Sequence, residues 1–395
     1  MERKYQRTHP WITFEINLKE DLNYKTWQLL GEASSKCSHI GGAPLLPDVA
    51  KELHTVYLSR GIFGTTAIEG NTLSEEEVRE RIEGELRLPK SREYQGHEVD
   101  NILGITNEIV RDLMENPGMP VTADRMRDFN KRVLDGLPVK DSVIPGMTRQ
   151  HSVTVGINDY RGAPAEDCDY LLDRLATWLN DLKAPADNPE LVFPIAVLKA
   201  ILAHLYIAWI HPFGDGNGRT ARLIELQLMV QAGISTPAAH LLSNHYNLTR
   251  DRYLVELDRT STRQGYPISE FIHYALEGFV DQLREQIETI RGQQFLVTWQ
   301  HLVHTSYRDE ETPAKVRQRH LVLDLKPNTW YHRSKIREVS PRVAVEYTGK
   351  ESKTVTRDLN ELERRGLIIR RGPQFMANYQ EVMAFLPAVV PPVAD

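Results

Sequence analysis

Cysteine is nearly absent from this chain. Only Cys37 and Cys168 occur in 395 residues, far apart in sequence. That leaves nothing for a disulfide framework or a cysteine-based zinc site and suits a reducing compartment, so a cytoplasmic location is expected. Positive charge is not in surplus: 48 Lys and Arg face 54 Asp and Glu, a formal net charge of −6. The chain as a whole is therefore no nucleic-acid coat, which does not exclude one local basic module. The N-terminus, MERKYQRTHPW, is charged and lacks the apolar core of a signal peptide. Long apolar runs are missing with one exception, LVFPIAVLKAILAHLYIAWI at residues 191–210. It has the length of a membrane span. Lys199 and His204 sit in its middle, Pro194 sits near its start, and it leads straight into a glycine-rich stretch, so a buried central helix is expected and no membrane. There is no internal repeat, and no low-complexity tract beyond the tail LPAVVPPVAD, which is expected to fray.

Helical patterning fills most of what remains. Residues 47–62 carry apolar positions at helical spacing. Residues 73–83 follow a Thr/Ser start with acidic residues in the first turn. Residues 94–115 read as a long amphipathic helix ending before Asn116-Pro117-Gly118, and 121–134, 166–182, 249–260 and 267–291 read as further helices. The segment MTRQHSVTVGINDYRGAP, 147–164, departs from this: β-branched alternation, a turn-like GINDYRG and a closing proline predict a short hairpin or extended flap. Residues 292–330 alternate polar and apolar pieces punctuated by Pro313 and Pro327. Residues 331–372 hold eleven Lys and Arg against six Asp and Glu, a local +5. A boundary is expected near residue 295, giving regions 1–110, 111–295 and 296–395.

The densest chemistry lies in HPFGDGNGRTAR, residues 211–222. Glycines let backbone N–H groups converge, and the helix that starts near Asn217–Thr220 adds unpaired N–H groups and partial positive charge. Gly214, Gly216, Asn217 and Gly218 thus read as an anion cradle of a kind suited to phosphates. Arg219 and Arg222, three apart, can reach the same anion from the first helical turn. Asp215 is a hard oxygen ligand suited to Mg²⁺ shared with phosphates. His211 is the side chain that can take a proton near neutral pH. The stretch is neither a P-loop nor a dinucleotide fingerprint.

This stretch matches the Fic-family signature HPFx[D/E]GNGRxxR at every defined position, and residues of roughly 110–290 resemble a complete Fic domain. The resemblance implies a mainly α fold, a Fic-type helical core with a short β-hairpin flap. It also implies a protein adenylyltransferase that moves AMP from ATP, with Mg²⁺, to a hydroxyl of a target protein or of itself. Carried over by position, His211 would deprotonate the attacking Tyr, Thr or Ser hydroxyl and Asp215 would hold the metal. Asn217 with the backbone at Gly216 and Gly218 would hold the α-phosphate, and Arg219 and Arg222 the β- and γ-phosphates. Ser152, Val153, Thr154 and Val155 of the flap near 151–158 would pin the target segment by strand-like pairing. Phe213 is expected as a packing anchor. Branches of the family that transfer phosphate or phosphocholine depart from the motif; retention of Asp215, Gly216 and both arginines favours AMP. Tyr246, Asn247 and Tyr253, in the segment where the family closes over the base, are candidate adenine contacts. Homodimerisation is implied by the resemblance alone.

A second stretch, GTTAIEGNTLS at 64–74, matches the family's inhibitory motif [S/T]xxxE[G/N]. A Glu69 carboxylate paired with Arg222 would withhold that arginine from the γ-phosphate and misaim the α-phosphorus; the plain alternative is a surface Glu69 beside a Gly70-Asn71 helix cap. Some relatives also use this glutamate to remove AMP. Finally, SKTVTRDLNELERRGLIIRRG, 352–372, resembles the recognition helix and first wing strand of a winged helix-turn-helix. Val355, Leu359, Leu362 and Leu367 would be its buried face, Gly366 its end, and Lys353, Thr354, Thr356 and Arg357 its contact residues. DNA binding, dimerisation and peptide docking are all open to such a module, so a DNA-binding regulator with a nucleotide-sensing Fic domain is the rival class.

Overall fold

The structure, a computed structural model, describes residues 3–155 and 160–383. Residues 156–158 of the expected flap and the tail 386–395 lie outside them. In chain order the helices are α1 (Lys4–Thr8), α2 (Tyr24–Gly42), α3 (Pro47–Ala67), α4 (Glu75–Glu83), α5 (Glu93–Glu115) and α6 (Ala123–Val133). Two short strands follow, β1 (Thr154–Val155) and β2 (Tyr160–Arg161). Then come α7 (Cys168–Asp181), α8 (Val192–Ile210), α9 (Asn217–Gln231), α10 (Thr236–Ala239), α11 (Leu241–Leu248), α12 (Arg250–Thr262) and α13 (Ile268–Ser306). Local rules account for several ends. Ser74 opens α4 with a capping box closed by Glu77. Pro47 stands in the first turn of α3. The α2 helix escapes the apolar spacing because serines, lysines and glycines dilute its stripe, but Asn23 caps it by accepting from the Thr26 N–H.

The chain divides into two compact units, Met1–Glu288 and Thr289–Asp395. The division falls within α13, upstream of 295. The N-terminal 110 residues, expected as a region of their own, pack into the first unit: α3 lies against α11, α5 and α9, and α5 against α9 and α6. Residues 292–306, expected as alternating short pieces, continue α13. Trp299, Val303 and Tyr307 recur every four residues and are all buried, which is helical spacing.

The apolar run of 191–210 is the central helix of the first unit. By length and composition it could cross a membrane, yet α8 is buried on nearly every face and packs along α9, with α7 and α2 also against it. A helix apolar all round needs such complete burial. Its C-terminal end delivers residue 211, and α9 starts six residues later. The antiparallel pairing of β1 with β2, Thr154 opposite Arg161 and Val155 opposite Tyr160, gives the flap its hairpin form.

In the second unit α14 (Pro313–Asp324), β3 (Tyr331–His332), α15 (Pro341–Glu346), α16 (Ser352–Arg364), β4 (Ile368–Arg371), β5 (Gln374–Ala377) and α17 (Gln380–Met383) follow one another. The sheet is antiparallel in the order β3-β5-β4. Val355, Leu359, Leu362 and Leu367 are buried, and Gly366 follows α16 at φ +72°. A buried carboxylate pins the helices together. Asp358 on α16 accepts from Arg317 Nε at 2.8 Å, Gln318 Nε2 at 2.8 Å and the Tyr347 hydroxyl at 3.0 Å. A buried acid is tolerable because all three donors meet it.

Candidate active site

The loop between α8 and α9 is built before any chemistry is asked of it. His211 ends α8 in the left-handed region, φ 47°, with its N–H on the Ile207 carbonyl at 2.9 Å. Asn217, the first residue of α9, turns its amide back onto the loop: Oδ1 accepts from the Phe213 N–H and Nδ2 donates to the Phe213 carbonyl, each at 2.9 Å. Phe213 itself is 1% exposed, the packing anchor expected of it. Gly216 sits at φ +74° at the helix N-cap, where an L side chain would be strained. Asn130 of α6 secures the loop from outside, donating to the Asp215 carbonyl at 2.8 Å while accepting from the Gly146 N–H at 3.0 Å.

The flap is fastened to this loop by a residue that motif reading did not single out. Arg149, 3% exposed, donates to the carbonyls of His211 (2.7 Å), His151 (2.8 Å), Ala163 and Ile210 (3.3 Å). Its own N–H bonds to the Pro212 carbonyl at 2.9 Å. Tyr160 of β2 adds a bond from its hydroxyl to the Trp209 carbonyl at 2.7 Å. Ser152 and Thr154 are exposed, and Val153 and Val155 half-buried. Val155 lines the cleft beside His211.

That cleft measures about 280 Å³ and takes in Glu69, Val155, His204, His211, Gly218 and Tyr253 among its walls. His211 is half-buried. Burial, with the Arg149 guanidinium beside it, pushes the imidazole down to about 4 against the partial opposition of Glu69. The ring is therefore neutral at pH 7 and able to accept a proton. Asp215 keeps about half of its side chain exposed, at 47%, and among the described residues it is engaged at Oδ1, by the Gly216 N–H at 2.6 Å and Arg219 Nη2 at 3.2 Å.

Both arginines of the loop already hold carboxylates. Arg222, 2% exposed, donates through Nη2 to Glu69 Oε1 at 2.7 Å and to the Thr65 carbonyl at 2.9 Å. A single nitrogen makes the Glu69 contact, so it is not a two-pronged fork. Arg222 Nε and Nη1 and Arg219 Nε are buried with no partner among the described residues. The Glu69 carboxylate lies directly over the start of α9: a Cβ at Gly218 would stand 2.1 Å from Glu69 Oε1. The space against the N-terminal turn of α9, where an anion is best held, thus contains an anion of the protein's own. Burial pushes the Glu69 carboxyl up, but Arg222 and Arg219 outweigh it and the net direction is down, so the acid is ionised. Arg219 pairs through Nη1 with Glu98 Oε1 at 2.6 Å. Gly70, at φ +99°, does turn the chain out of α3, so the capping reading of Gly70-Asn71 and the pairing of Glu69 with Arg222 hold together.

The three candidate base contacts separate. Tyr253 lines the cleft. Tyr246 and Asn247 are not among its walls: Tyr246 is fully buried and donates to Glu225 Oε1 at 2.9 Å, a core role. His204, on α8, lies between these groups, with Nε2 at 2.9 Å from the Tyr253 hydroxyl and Nδ1 at 3.4 Å from Glu225 Oε2. The residues missed by motif reading, Arg149, Asn130, Glu98 and His204, share one signal: each is a polar side chain at a buried or half-buried position of a helix or loop.

Comparison with known proteins agrees with this geometry. Residues 120–229 match the model of the Fic/DOC family. The chain is 27% identical over 230 residues to the protein adenylyltransferase fic-1 of Caenorhabditis briggsae, covering 58% of this chain and 40% of that protein. It is 30% identical over 177 residues to the protein adenylyltransferase Fic of Culex quinquefasciatus, covering 44% and 32%. The chain thus spans less than half the length of the curated relatives it matches. Among solved structures, a Fic family protein from Desulfovibrio desulfuricans shares the fold at a TM-score of 0.55 with 18% identity, over 90% of this chain and 96% of that one. A Fic domain containing signaling protein from Bacteroides thetaiotaomicron does so at 0.54 with 20% identity, over 67% and 98%. The loop from His211 to Arg222 lies within the stretch that matches the Fic/DOC family model, and the helices around it take the fold seen in solved Fic structures.

Proposed function

We propose that the chain is an autoinhibited protein adenylyltransferase, moving AMP from ATP to a hydroxyl of a target protein or of itself. The observation that carries the reading is the Glu69 carboxylate lying against Gly218 and Arg222, an internal anion in the seat of a phosphate. The names of the relatives at 27–30% identity support the same chemistry. In the reaction, the target hydroxyl oxygen bonds to the α-phosphorus, its proton passes to the neutral His211 ring, and the bond to the departing pyrophosphate breaks. The N-terminus of α9 and the arginines meet the charge that develops. Asp215 offers a half-exposed carboxylate whose Oδ2 has no partner among the described residues, which suits Mg²⁺ shared with phosphates; when bound, the ion would neutralise phosphate charge. The exposed Thr154 backbone would pair with the target segment, and Tyr253 would meet the base. Asn217 keeps the loop in shape with its side chain and would offer phosphate its backbone.

Incubation with ATP labelled at the α-phosphate tests this. Label moves to protein, rises in Glu69→Gly and falls by about 10²–10⁴-fold in His211→Ala. Transfer of γ-label instead would make it a phosphotransferase. The homodimer implied by the resemblance is tested by sedimentation; a monomeric full chain would overturn it.

A second activity is favoured by the charges of the second unit, which we read as a winged helix. Ser352, Lys353, Thr356, Arg357 and Asn360 share one face of α16 and, with Arg333, line a shallow depression. No acidic partner meets Lys353, Arg357 or Arg333 among the described residues, whereas Arg317, Arg342 and Arg365 are each paired. A polar face with unpaired cations on an exposed helix suits the major groove of duplex DNA. Gel shifts on genomic fragments test it; absent or salt-insensitive binding would overturn it.

A further inference from the structure

Two residues beyond Glu69, the same turn makes another contact. Asn71 Nδ2 donates to Glu98 Oε2 at 2.8 Å and to the Gln95 carbonyl at 3.1 Å, while its Oδ1 accepts from the Leu73 N–H at 3.0 Å. The other oxygen of that carboxylate, Glu98 Oε1, accepts from Arg219 Nη1 at 2.6 Å. Glu98 and Arg219 are each 7% exposed. Both arginines of the Fic motif are therefore tied to one turn, by contacts of opposite kind. At Arg222 the turn supplies an anion in the space of a phosphate. At Arg219 it supplies a neutral amide that aims Glu98, and Glu98 takes only one edge of the guanidinium. Nε stays buried without a partner among the described residues, and Nη2 faces Asp215 at 3.2 Å.

We propose that Glu98, oriented by Asn71, positions Arg219 for the β- and γ-phosphates of ATP, so that the turn after α3 prepares one arginine while it blocks the other. An arginine side chain has many rotamers, and a buried charge-assisted bond to one nitrogen selects among them before the nucleotide arrives. Glu98 stands on α5 and is not among the cleft walls. If it instead competed with phosphate for Arg219, its removal would tighten ATP binding. The proposal rests on the reading of the cleft as an ATP site. It separates two ways of releasing the brake: neutralising Glu69 leaves Arg219 prepared, whereas withdrawing the whole turn loosens it.

Calorimetric titration of the full-length chain with ATP and, separately, with AMP tests this, both in the presence of Mg²⁺. In a Glu69→Gly background, adding Glu98→Gln weakens ATP by about tenfold or more, and adding Asn71→Ala by roughly threefold, from loss of one charged and one weaker hydrogen bond. AMP has no β- or γ-phosphate, so its affinity stays unchanged in both; a misfolded site would lose both ligands alike. Unchanged or tighter ATP binding in Glu98→Gln, or equal losses for ATP and AMP, would overturn the positioning role. If Glu69→Gly alone binds neither nucleotide, the ATP-site reading itself fails and the proposal goes with it.

Discussion

The two motif arginines at the start of α9 in the first unit and the cations on α16 of the second unit stand in opposite circumstances. Arg219 and Arg222 are buried and each already grips a carboxylate, Glu98 and Glu69. Lys353 and Arg357 are exposed and have no acidic partner among the described residues. Elsewhere in the second unit the acids are taken: Glu310 and Glu361 pair with Lys315 and Arg365, and Asp324 with Arg342. A buried cation needs acceptors for its donors, backbone carbonyls at Arg149 and carboxylates at Arg219 and Arg222, and a carboxylate is the acceptor that another anion can replace. A surface cation has no such need and can stay open. The first arrangement lends itself to a switch, the second to a standing affinity set by salt.

Each half of the comparison can be broken by one substitution. Removing the internal anion, Glu69→Gly, is expected to raise AMP transfer by about a hundredfold, the scale of a misaimed α-phosphorus, as measured with α-labelled ATP at saturating magnesium. Adding an anion where there is none, Thr356→Glu, is expected to lower duplex affinity by more than ~10-fold and to flatten the dependence on salt by about one ion, read from gel shifts at several salt concentrations. Arg149→Met keeps the volume of the side chain but strips the donors from four backbone carbonyls. It should cost about 3 kcal/mol in denaturant unfolding, the scale of an abandoned buried charged network.

A further test concerns acid. Burial lowers His211, His240 and His245 to about 4 each from an ordinary 6.5. Unfolded, these rings take up protons below 6.5; folded, they refuse them until about 4. The melting temperature is therefore expected to be level above pH 6.5 and to decline between 6.5 and 4. In Glu69→Gly the His211 midpoint should drop further, because Glu69 raises it; imidazole resonances followed by NMR check this.

The chemistry-bearing loop and the glutamate opposite it were legible in sequence because each is written in a short contiguous stretch. So were α8, through its unbroken apolarity, and the α16 core face, through its spacing. What stayed hidden depends on partners far along the chain. Glu98 meets Arg219 across 121 residues and looks, locally, like any acid on an amphipathic helix. Arg149 acts almost wholly on backbone carbonyls, which leave no trace in residue identity. Tyr246 and Tyr253 could not be told apart because they straddle the break between α11 and α12, and only the packing of those helices turns one into the core and the other toward the cleft.

Gly70, held at φ +99°, makes Glu69 a ligand on a short leash. The carboxylate cannot diffuse away, so its local concentration at Arg222 is fixed by the stiffness of the turn and not by anything in solution. On the proposed reading, raising ATP would compete against a constant opponent, whereas a partner that bends this turn by a few ångströms would change the opponent itself. Sensitivity to such a partner would therefore be tuned at Gly70 and its neighbours, by residues that touch neither nucleotide nor target.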